Sequence, residues 1–130
     1  MSGKLNTARL IHMAETGDRE GFARAFAAGE LEGWGEQIRR ELNFRAARAG
    51  QAGVLRDFFS LYHLYSTEPD GTGRTLLHEA AASGDPETIR FCMDVAGFDP
   101  MAGDRTGRTA LDEARDAENP EGYQIGRAHV

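Results

Sequence analysis

Three short stretches of the chain carry large apolar residues at a spacing of three to four positions, which is the period of one helix face. The stretches contain Phe22 and Phe26, then Leu55, Phe58 and Phe59, and finally Ile89, Cys92 and Met93. Each stretch follows an alanine-containing segment that ends in Gly17, Gly50 or Gly84. Glycine is favoured where a helix ends in a left-handed residue. The pattern therefore predicts pairs of helices that reverse at these glycines, with the apolar stripes of the second helices closing the core.

The pattern repeats at a fixed period. The segment from Gly73 to Ala80 recurs from Gly107 to Ala114, an offset of 34 residues. Asp85-Pro86 and Asn119-Pro120 share that offset, and each fits a helix N-cap followed by proline at the first helical position. Ala46 to Gly50 and Ala14 to Gly17 extend the register backwards. The sequence thus predicts four units, at about 3–35, 36–69, 70–103 and 104–130, with an abbreviated second helix from Pro120 to about Gly126 in the last.

The repeated unit resembles the ankyrin family, whose repeat of about 33 residues contains a turn and two helices with a Thr-Pro-Leu-His-x-Ala signature. The segment from Thr75 to Ala80 departs from that signature only at Leu76. The second unit fits least, because Asn43 stands where leucine is expected. The resemblance implies one all-α domain over residues 1–130, a solenoid of helix-turn-helix units with short turn or hairpin tips and atypical terminal repeats. It also implies a structural role for His78, hydrogen-bonded within the repeat turn.

Composition and motifs narrow the function classes. A hydrophobic fraction of 40% and a charged fraction of 28% are typical of a folded globular chain. Cys92 has no partner for an intramolecular disulfide, and no cysteine and histidine cluster has zinc spacing. No phosphate-binding glycine loop, nucleophile elbow or His-Glu-x-x-His pair is present. We predict a non-catalytic cytoplasmic protein with no cofactor, no metal and no membrane partner.

The resemblance implies a concave binding surface built from the turn tips and first helices. Arg40, Arg74 and Arg108 recur at offsets of 34 and are expected to align along it, with Arg39, Arg45, Arg48 and Arg105 nearby. Guanidinium groups donate paired hydrogen bonds to carboxylates and phosphates. We therefore expect an adaptor or inhibitor that binds an acidic protein surface. Nucleic acid or another polyanion is a less favoured partner, because the net charge is −6.

The run from Phe58 to Tyr65 holds more large apolar groups than one helix face can bury. Clustered aromatic residues at a surface often anchor a protein interface. Phe58, Phe59, Tyr62 and Tyr65 are therefore candidate contact residues, and the alternative function is an oligomerisation or docking domain that forms a homodimer through this segment. The run could equally cover an extended core between units. Trp34 is either a core residue or an exposed anchor.

Overall fold

The computed structural model describes residues 6–118 and consists there of helices and connecting loops, with no strand. The helices are α1 (Thr7–Thr16), α2 (Arg19–Ala27), α3 (Glu36–Arg48), α4 (Ala52–Ser60), α5 (Leu76–Ser83), α6 (Pro86–Asp94) and α7 (Ala110–Glu118). The predicted all-α class is confirmed for this part of the chain. The abbreviated second helix predicted from Pro120 to about Gly126 lies outside the described residues.

The first six helices form three pairs, α1 with α2, α3 with α4 and α5 with α6, each joined by two or three residues. Gly17, Gly50 and Gly84 have φ angles of 75°, 72° and 74°, the left-handed conformation that the sequence predicted at the reversals. Asp85 caps α6 by accepting a hydrogen bond from the backbone N–H of Thr88 at 3.0 Å, and Pro86 occupies the first turn. Local sequence signals therefore place all three reversals.

The helices stack in two layers. In the first layer α1, α3, α5 and α7 each contact the next, and in the second layer α4 lies between α2 and α6. Ala46, Ala47, Ala80 and Ala81 are buried along the first layer, where small side chains allow helices to approach closely. The core between the layers includes Leu10, Phe22, Leu42, Leu55, Phe58, Leu77 and Cys92.

The prediction that each apolar stripe faces the core is correct for Phe22, Leu55, Phe58 and Cys92, which are all buried. It is wrong for Phe26 and Met93, which are 50% and 37% exposed. The second layer has the core on one side only, so a stripe wider than that side leaves its margin in solvent. Burial raises the pKa of the Cys92 thiol to about 12. Cys92 is therefore a small buried apolar residue, as its position in the stripe predicted.

Asn43, the residue that departs from the expected leucine, is fully buried on α3. Its side-chain amide donates to the carbonyl of Arg39 at 2.7 Å and to the carbonyl of Leu64 at 2.8 Å. The second of these bonds fastens the loop that follows α4 to the first layer. The Asn43 Oδ1 atom is buried without a hydrogen-bond partner among the described residues. The second unit thus replaces an apolar contact by a polar tie to its own loop.

The turns before α5 and α7 are alike. Asp70 Oδ1 accepts hydrogen bonds from the backbone N–H of Thr72 at 2.8 Å and of Arg74 at 3.1 Å. Asp104 Oδ1 does the same with the corresponding groups one unit later. The N–H of Arg105 donates to the carbonyl of Thr72 at 2.9 Å, which joins the two turns. The 34-residue period therefore reproduces a whole turn, including its hydrogen bonds.

His78 joins the third unit to the fourth. Its Nδ1 accepts from the backbone N–H of Thr75 at 3.0 Å, which places the ring proton of the neutral imidazole on Nε2. Nε2 then donates to the carbonyl of Arg108 at 2.8 Å. The structural role predicted for His78 is confirmed, and it extends beyond its own turn.

Candidate functional site

The first layer has a concave groove along α3, which lies between α1 and α5. Arg40, Phe44 and Arg48 recur every fourth residue on the exposed side of α3, so they lie on one face of the helix. The groove has a volume of about 440 Å³. The remaining lining comes from α1, α3, α5 and the turn before α5, through Glu15, Glu41, Arg45, Ala49, Asp70 and Glu79. We call this feature the α3 groove.

Two of the three arginines in the α3 groove are neutralised by neighbouring carboxylates. Arg45 donates to Glu15 at 2.7 Å and to Glu41 at 2.6 Å, and these hydrogen bonds raise the pKa of its guanidinium. Arg48 donates to Glu79 at 2.9 Å. Among the described residues Arg40 has no ion-pair partner within 4 Å. The groove therefore offers one uncompensated guanidinium, that of Arg40, one helical turn from the half-buried ring of Phe44.

The ion pairs continue across the next two units as a ladder of alternating charge, formed by Arg48, Glu79, Arg74, Glu113, Arg108 and Asp116. Arg74 donates to Glu79 at 2.8 Å and to Glu113 at 2.7 Å. Burial acts to lower the pKa of Arg74, but its hydrogen bonds to Glu113 and Glu79 outweigh burial and raise it. Hydrogen bonds to Glu113 and Asp116 raise the pKa of Arg108. Arg74 joins the third unit to the fourth through Glu113, whereas Arg108 binds carboxylates of its own unit.

Arg40 lies in a different type of element from Arg74 and Arg108, although the period gives the three residues equivalent positions. Arg40 lies in the second turn of α3, whereas Arg74 and Arg108 lie in the turns that precede α5 and α7. Arg39, Arg45 and Arg48 are on α3 and Arg105 is in the turn before α7, as expected for turn or first-helix positions. Arg39 lies near the start of α3, whereas Arg48 is its last residue. Arg39 donates to the carbonyl of Trp34 at 2.6 Å. Arg45, Arg48, Arg74 and Arg108 are each paired with carboxylates of the protein, so their charges do not form a continuous basic stripe.

The aromatic run divides between core and surface. Phe58 is fully buried, with its ring centroid 5.1 Å from that of Phe22, and Tyr62 is buried beside it. Burial raises the pKa of the Tyr62 hydroxyl. The prediction of Phe58 and Tyr62 as contact residues is wrong, because the chain turns back after α4 and the N–H groups of Leu61 and Tyr62 both bond to the carbonyl of Asp57.

The other two aromatic residues of the run are accessible. Phe59 is half-buried, with its ring centroid 5.2 Å from that of Phe91 and 5.3 Å from that of Tyr65. Tyr65 itself is 47% exposed. Trp34 is neither a fully buried core residue nor a fully exposed anchor. It is half-buried against the core, and its indole N–H donates to the carbonyl of Glu30 at 2.9 Å.

Sequence reasoning missed the contribution of Phe44 and of the carboxylates of Glu15 and Glu79 to the α3 groove. The four-residue spacing of Arg40, Phe44 and Arg48 was the signal available for Phe44. No comparable signal marks Glu15 or Glu79, because their contacts with Arg45 and Arg48 cross between units. Over residues 6–118 the side chains contain no group of three or more His, Cys, Asp or Glu that could hold a metal ion. No helix in that range is long and apolar enough to cross a bilayer.

Comparison with known proteins shows that the fold occurs in other solved structures. No family model and no curated protein matches the sequence. Among solved structures, the chain resembles a chain in the crystal structure of the yeast ribosomal protein Rps3 in complex with its chaperone Yar1. The TM-score is 0.66 and the sequence identity 18%, and the match covers 95% of this chain and 92% of the other. The protein is therefore a stack of helix pairs whose fold recurs, nearly end to end, in a chain of that complex.

Proposed function

We propose that the protein is an ankyrin-repeat protein that binds a segment of another protein in the α3 groove and acts as an adaptor or inhibitor. The observation that carries the proposal is the pairing of an uncompensated guanidinium with an accessible aromatic ring, Arg40 beside Phe44, in an open groove of about 440 Å³. A surface that combines one aromatic anchor with one available charge has the composition of an interface centre. The first layer presents this face on a rigid stack.

The chemistry of the partner follows from these two groups. A carboxylate of the partner would pair with Arg40, and an apolar side chain next to it would contact Phe44. Arg45 and Arg48 already donate to carboxylates within the protein, so they offer little to a polyanion. This favours a protein segment with a single acidic residue over nucleic acid. The chain with the matching fold belongs to a complex of two proteins, which supports protein binding in general.

Homodimerisation through the aromatic run is less well supported than groove binding. Phe58 and Tyr62 are in the core, so two of the four residues proposed for that interface cannot reach a second copy. The two that remain, Phe59 and Tyr65, contact each other. Their exposed area is small compared with the roughly 800 Å² that each partner buries in a stable interface.

Site-specific photo-crosslinking tests the proposal. A photoreactive benzoyl-phenylalanine replaces Phe44 in one variant and the exposed Val95, on the second layer, in another. In cells of the source organism we expect a discrete protein adduct from position 44 that is absent from position 95. Arg40→Glu introduced into the position 44 variant should abolish the adduct, because it places a carboxylate against the partner's own.

Arg90→Glu is the matched control for Arg40→Glu. Arg90 is exposed on α6, so the substitution makes the same charge change on the second layer. The adduct should survive it. An adduct of equal yield with Arg40→Glu and Arg90→Glu, or adducts of the same size from positions 44 and 95, would show that the α3 groove is not the binding site.

A further inference from the structure

The net charge of the protein is distributed unevenly between its two layers. The segments that form the first helices and the turns before them, residues 6–17, 35–50, 70–84 and 104–117, contain nine arginines and nine carboxylates. The segments that form the second helices and the loops after them, residues 18–34, 51–69 and 85–103, contain four arginines and ten carboxylates. Within these ranges the excess of six negative charges therefore belongs entirely to the second-helix segments.

Part of this acidic region surrounds a two-part depression, which we call the loop-edge trough. It lies between the loop after α2 and the loop after α4. Its apolar half, of about 320 Å³, is lined by Phe26, Leu31, Glu32, Trp34, Tyr62 and Leu64. Its acidic half, of about 300 Å³, is lined by Glu36, Tyr65, Ser66, Thr67 and Glu68. Arg39 and His63 border both halves, so the two are adjacent.

The apolar half has a floor of buried side chains and an accessible wall. Leu31, Tyr62 and Leu64 are buried, whereas Phe26 is 50% exposed with its ring centroid 5.0 Å from that of Tyr62. A half-exposed phenylalanine over a floor of this kind gains apolar contact when another side chain enters. The volume of the apolar half is at the lower end of the range of roughly 300–1,000 Å³ that is typical of small-ligand sites. That size suits one large aliphatic or aromatic side chain.

The acidic half carries net negative charge because its one arginine is already engaged. Arg39 donates to the carbonyl of Trp34 at 2.6 Å and to Glu36 at 2.8 Å. The Ser66 hydroxyl donates to Glu36 and lowers the pKa of that carboxyl, which keeps it charged at neutral pH. Glu32 and Glu68 are exposed and have no ion-pair partner among the described residues. Two uncompensated carboxylates therefore flank the trough.

We propose that the loop-edge trough docks a basic segment of a protein partner, with a large apolar side chain in the apolar half and lysine or arginine side chains against Glu32 and Glu68. Charge complementarity selects this occupant. A nucleic acid or a second copy of this acidic chain would bring negative charge to the same carboxylates. The trough and the α3 groove share no lining residue, so each can be altered by its own substitutions.

Trp34 makes the docking directly measurable. It is the only tryptophan of the chain and it lines the apolar half, so its emission reports occupancy there. The probe is a short capped peptide with one leucine between two pairs of lysines and no aromatic residue. At low ionic strength we expect a saturable change in Trp34 emission that weakens as salt is added. The same peptide with glycine for leucine, and one with glutamates for lysines, should give no saturable change.

Two double variants localise the charge effect. Glu32→Gln with Glu68→Gln should weaken peptide binding about tenfold, as expected for the loss of two surface ion pairs. Glu20→Gln with Glu87→Gln is the matched control, because both residues are exposed in the first turns of α2 and α6, at the opposite edge of the second layer. That control should leave the affinity unchanged. Phe44→Ala, a change in the α3 groove that leaves the charge as it is, should also leave the affinity unchanged, which separates this site from the α3 groove.

Three outcomes would overturn the proposal. The first is the absence of any saturable change in Trp34 emission with the lysine–leucine peptide. The second is equal weakening by the two double variants, which would mean that the peptide follows the net charge of the chain. The third is equal binding of the glycine-substituted peptide, which would leave no role for the apolar half. Phe26→Ser provides a second check on that half, since it removes the accessible ring and should abolish the emission change.

Discussion

The second unit and the C-terminal units are held together by different interactions. From α5 to α7 the contacts between units include the ion-pair ladder through Arg74 and Glu113 and the bond from His78 to the carbonyl of Arg108. Around α4 the contacts include aromatic packing, with Phe22, Phe58 and Tyr62 in one cluster and Phe59 against Phe91 in the next. One ion pair lies beside these rings, in which Arg19 of α2 donates to both carboxylate oxygens of Asp57. The regular units repeat a polar turn, whereas the irregular unit depends on ring packing and on Asn43.

This contrast bears on where a stack of helix pairs can present a surface for recognition. The polar turns of the third and fourth units use their arginines internally, so they have little charge left for a partner. The second unit lacks such a turn, and both proposed sites, the α3 groove and the loop-edge trough, adjoin it. A unit that is free of the repeated turn can vary its surface while its neighbours maintain the stack.

Truncation of Phe58 should give the largest effect on stability. Phe58→Ala removes a fully buried ring at the junction of α2 and α4, and it should lower the free energy of unfolding by about 3–5 kcal/mol. Urea unfolding followed by circular dichroism measures the change. The loss should be independent of salt because the contacts are apolar.

Tyr65→Ala is the matched control in the same segment. Its ring is accessible, so the loss should be about 1 kcal/mol or less. Comparable losses from Phe58→Ala and Tyr65→Ala would mean that the aromatic run is not divided between core and surface.

Removal of one ladder carboxylate should have an intermediate effect that depends on pH. Glu113→Gln leaves the partly buried Arg74 and Arg108 without their shared acceptor charge, and it should cost about 2 kcal/mol near neutral pH. Burial acts to raise the pKa of Glu113, but hydrogen bonds from Arg108 and Arg74 outweigh it and lower the pKa below the ordinary value of 4.5.

The sign of the pH dependence follows from that lowered pKa. A carboxyl whose pKa is lower in the folded state contributes its full stabilisation of the folded protein when the pH is above its pKa in the unfolded state. This contribution is lost as the pH falls through the pKa of the folded state. The stability gap between wild type and Glu113→Gln should therefore narrow as the pH is reduced from about 7 toward 3. Glu87→Gln, in the exposed first turn of α6, should show a smaller gap, since it loses only a helix-dipole interaction of about 0.3–1 kcal/mol. A gap that widened in acid would contradict the assignment.

The repeat period predicted the fold well because the signals for the reversals are local. Gly17, Gly50 and Gly84 end their helices, and Asp85 with Pro86 begins one, without any contribution from distant residues. The same period misplaced Arg40 because it does not fix where a helix starts. Thr75 caps α5, but the equivalent position one unit earlier is Glu41, a weak N-cap residue. The helix-forming residues before Glu41 therefore extend α3 back to Glu36.

The binding surfaces were harder to predict than the helices for a related reason. The ladder partners of Arg48 and Arg74 come from the following unit, and no local pattern marks Glu79 and Glu113 as those partners. The burial of Tyr62 depends on the backbone turning at Asp57 after α4 ends. Counting apolar residues in the run could show an excess for one helix face, but it could not show which rings the turn carries inward.

Of the three core and ladder substitutions, loss of the Asn43 amide should lower the free energy of unfolding least. Its effect should be confined to the loop after α4. Asn43→Ala removes hydrogen bonds to the carbonyls of Arg39 and Leu64, but it also removes the unpartnered Oδ1, so we expect a net loss of about 1 kcal/mol. Amide hydrogen exchange should accelerate in the loop after α4, near Leu64, and stay unchanged in α5 and α7. Asn43→Leu restores the residue expected from the ankyrin pattern and should be no more stable than wild type, since the Leu64 carbonyl still lacks its donor. A clear gain in stability with leucine would show that the second unit gains nothing from its polar tie, and the contrast between the two regions would then rest on aromatic packing alone.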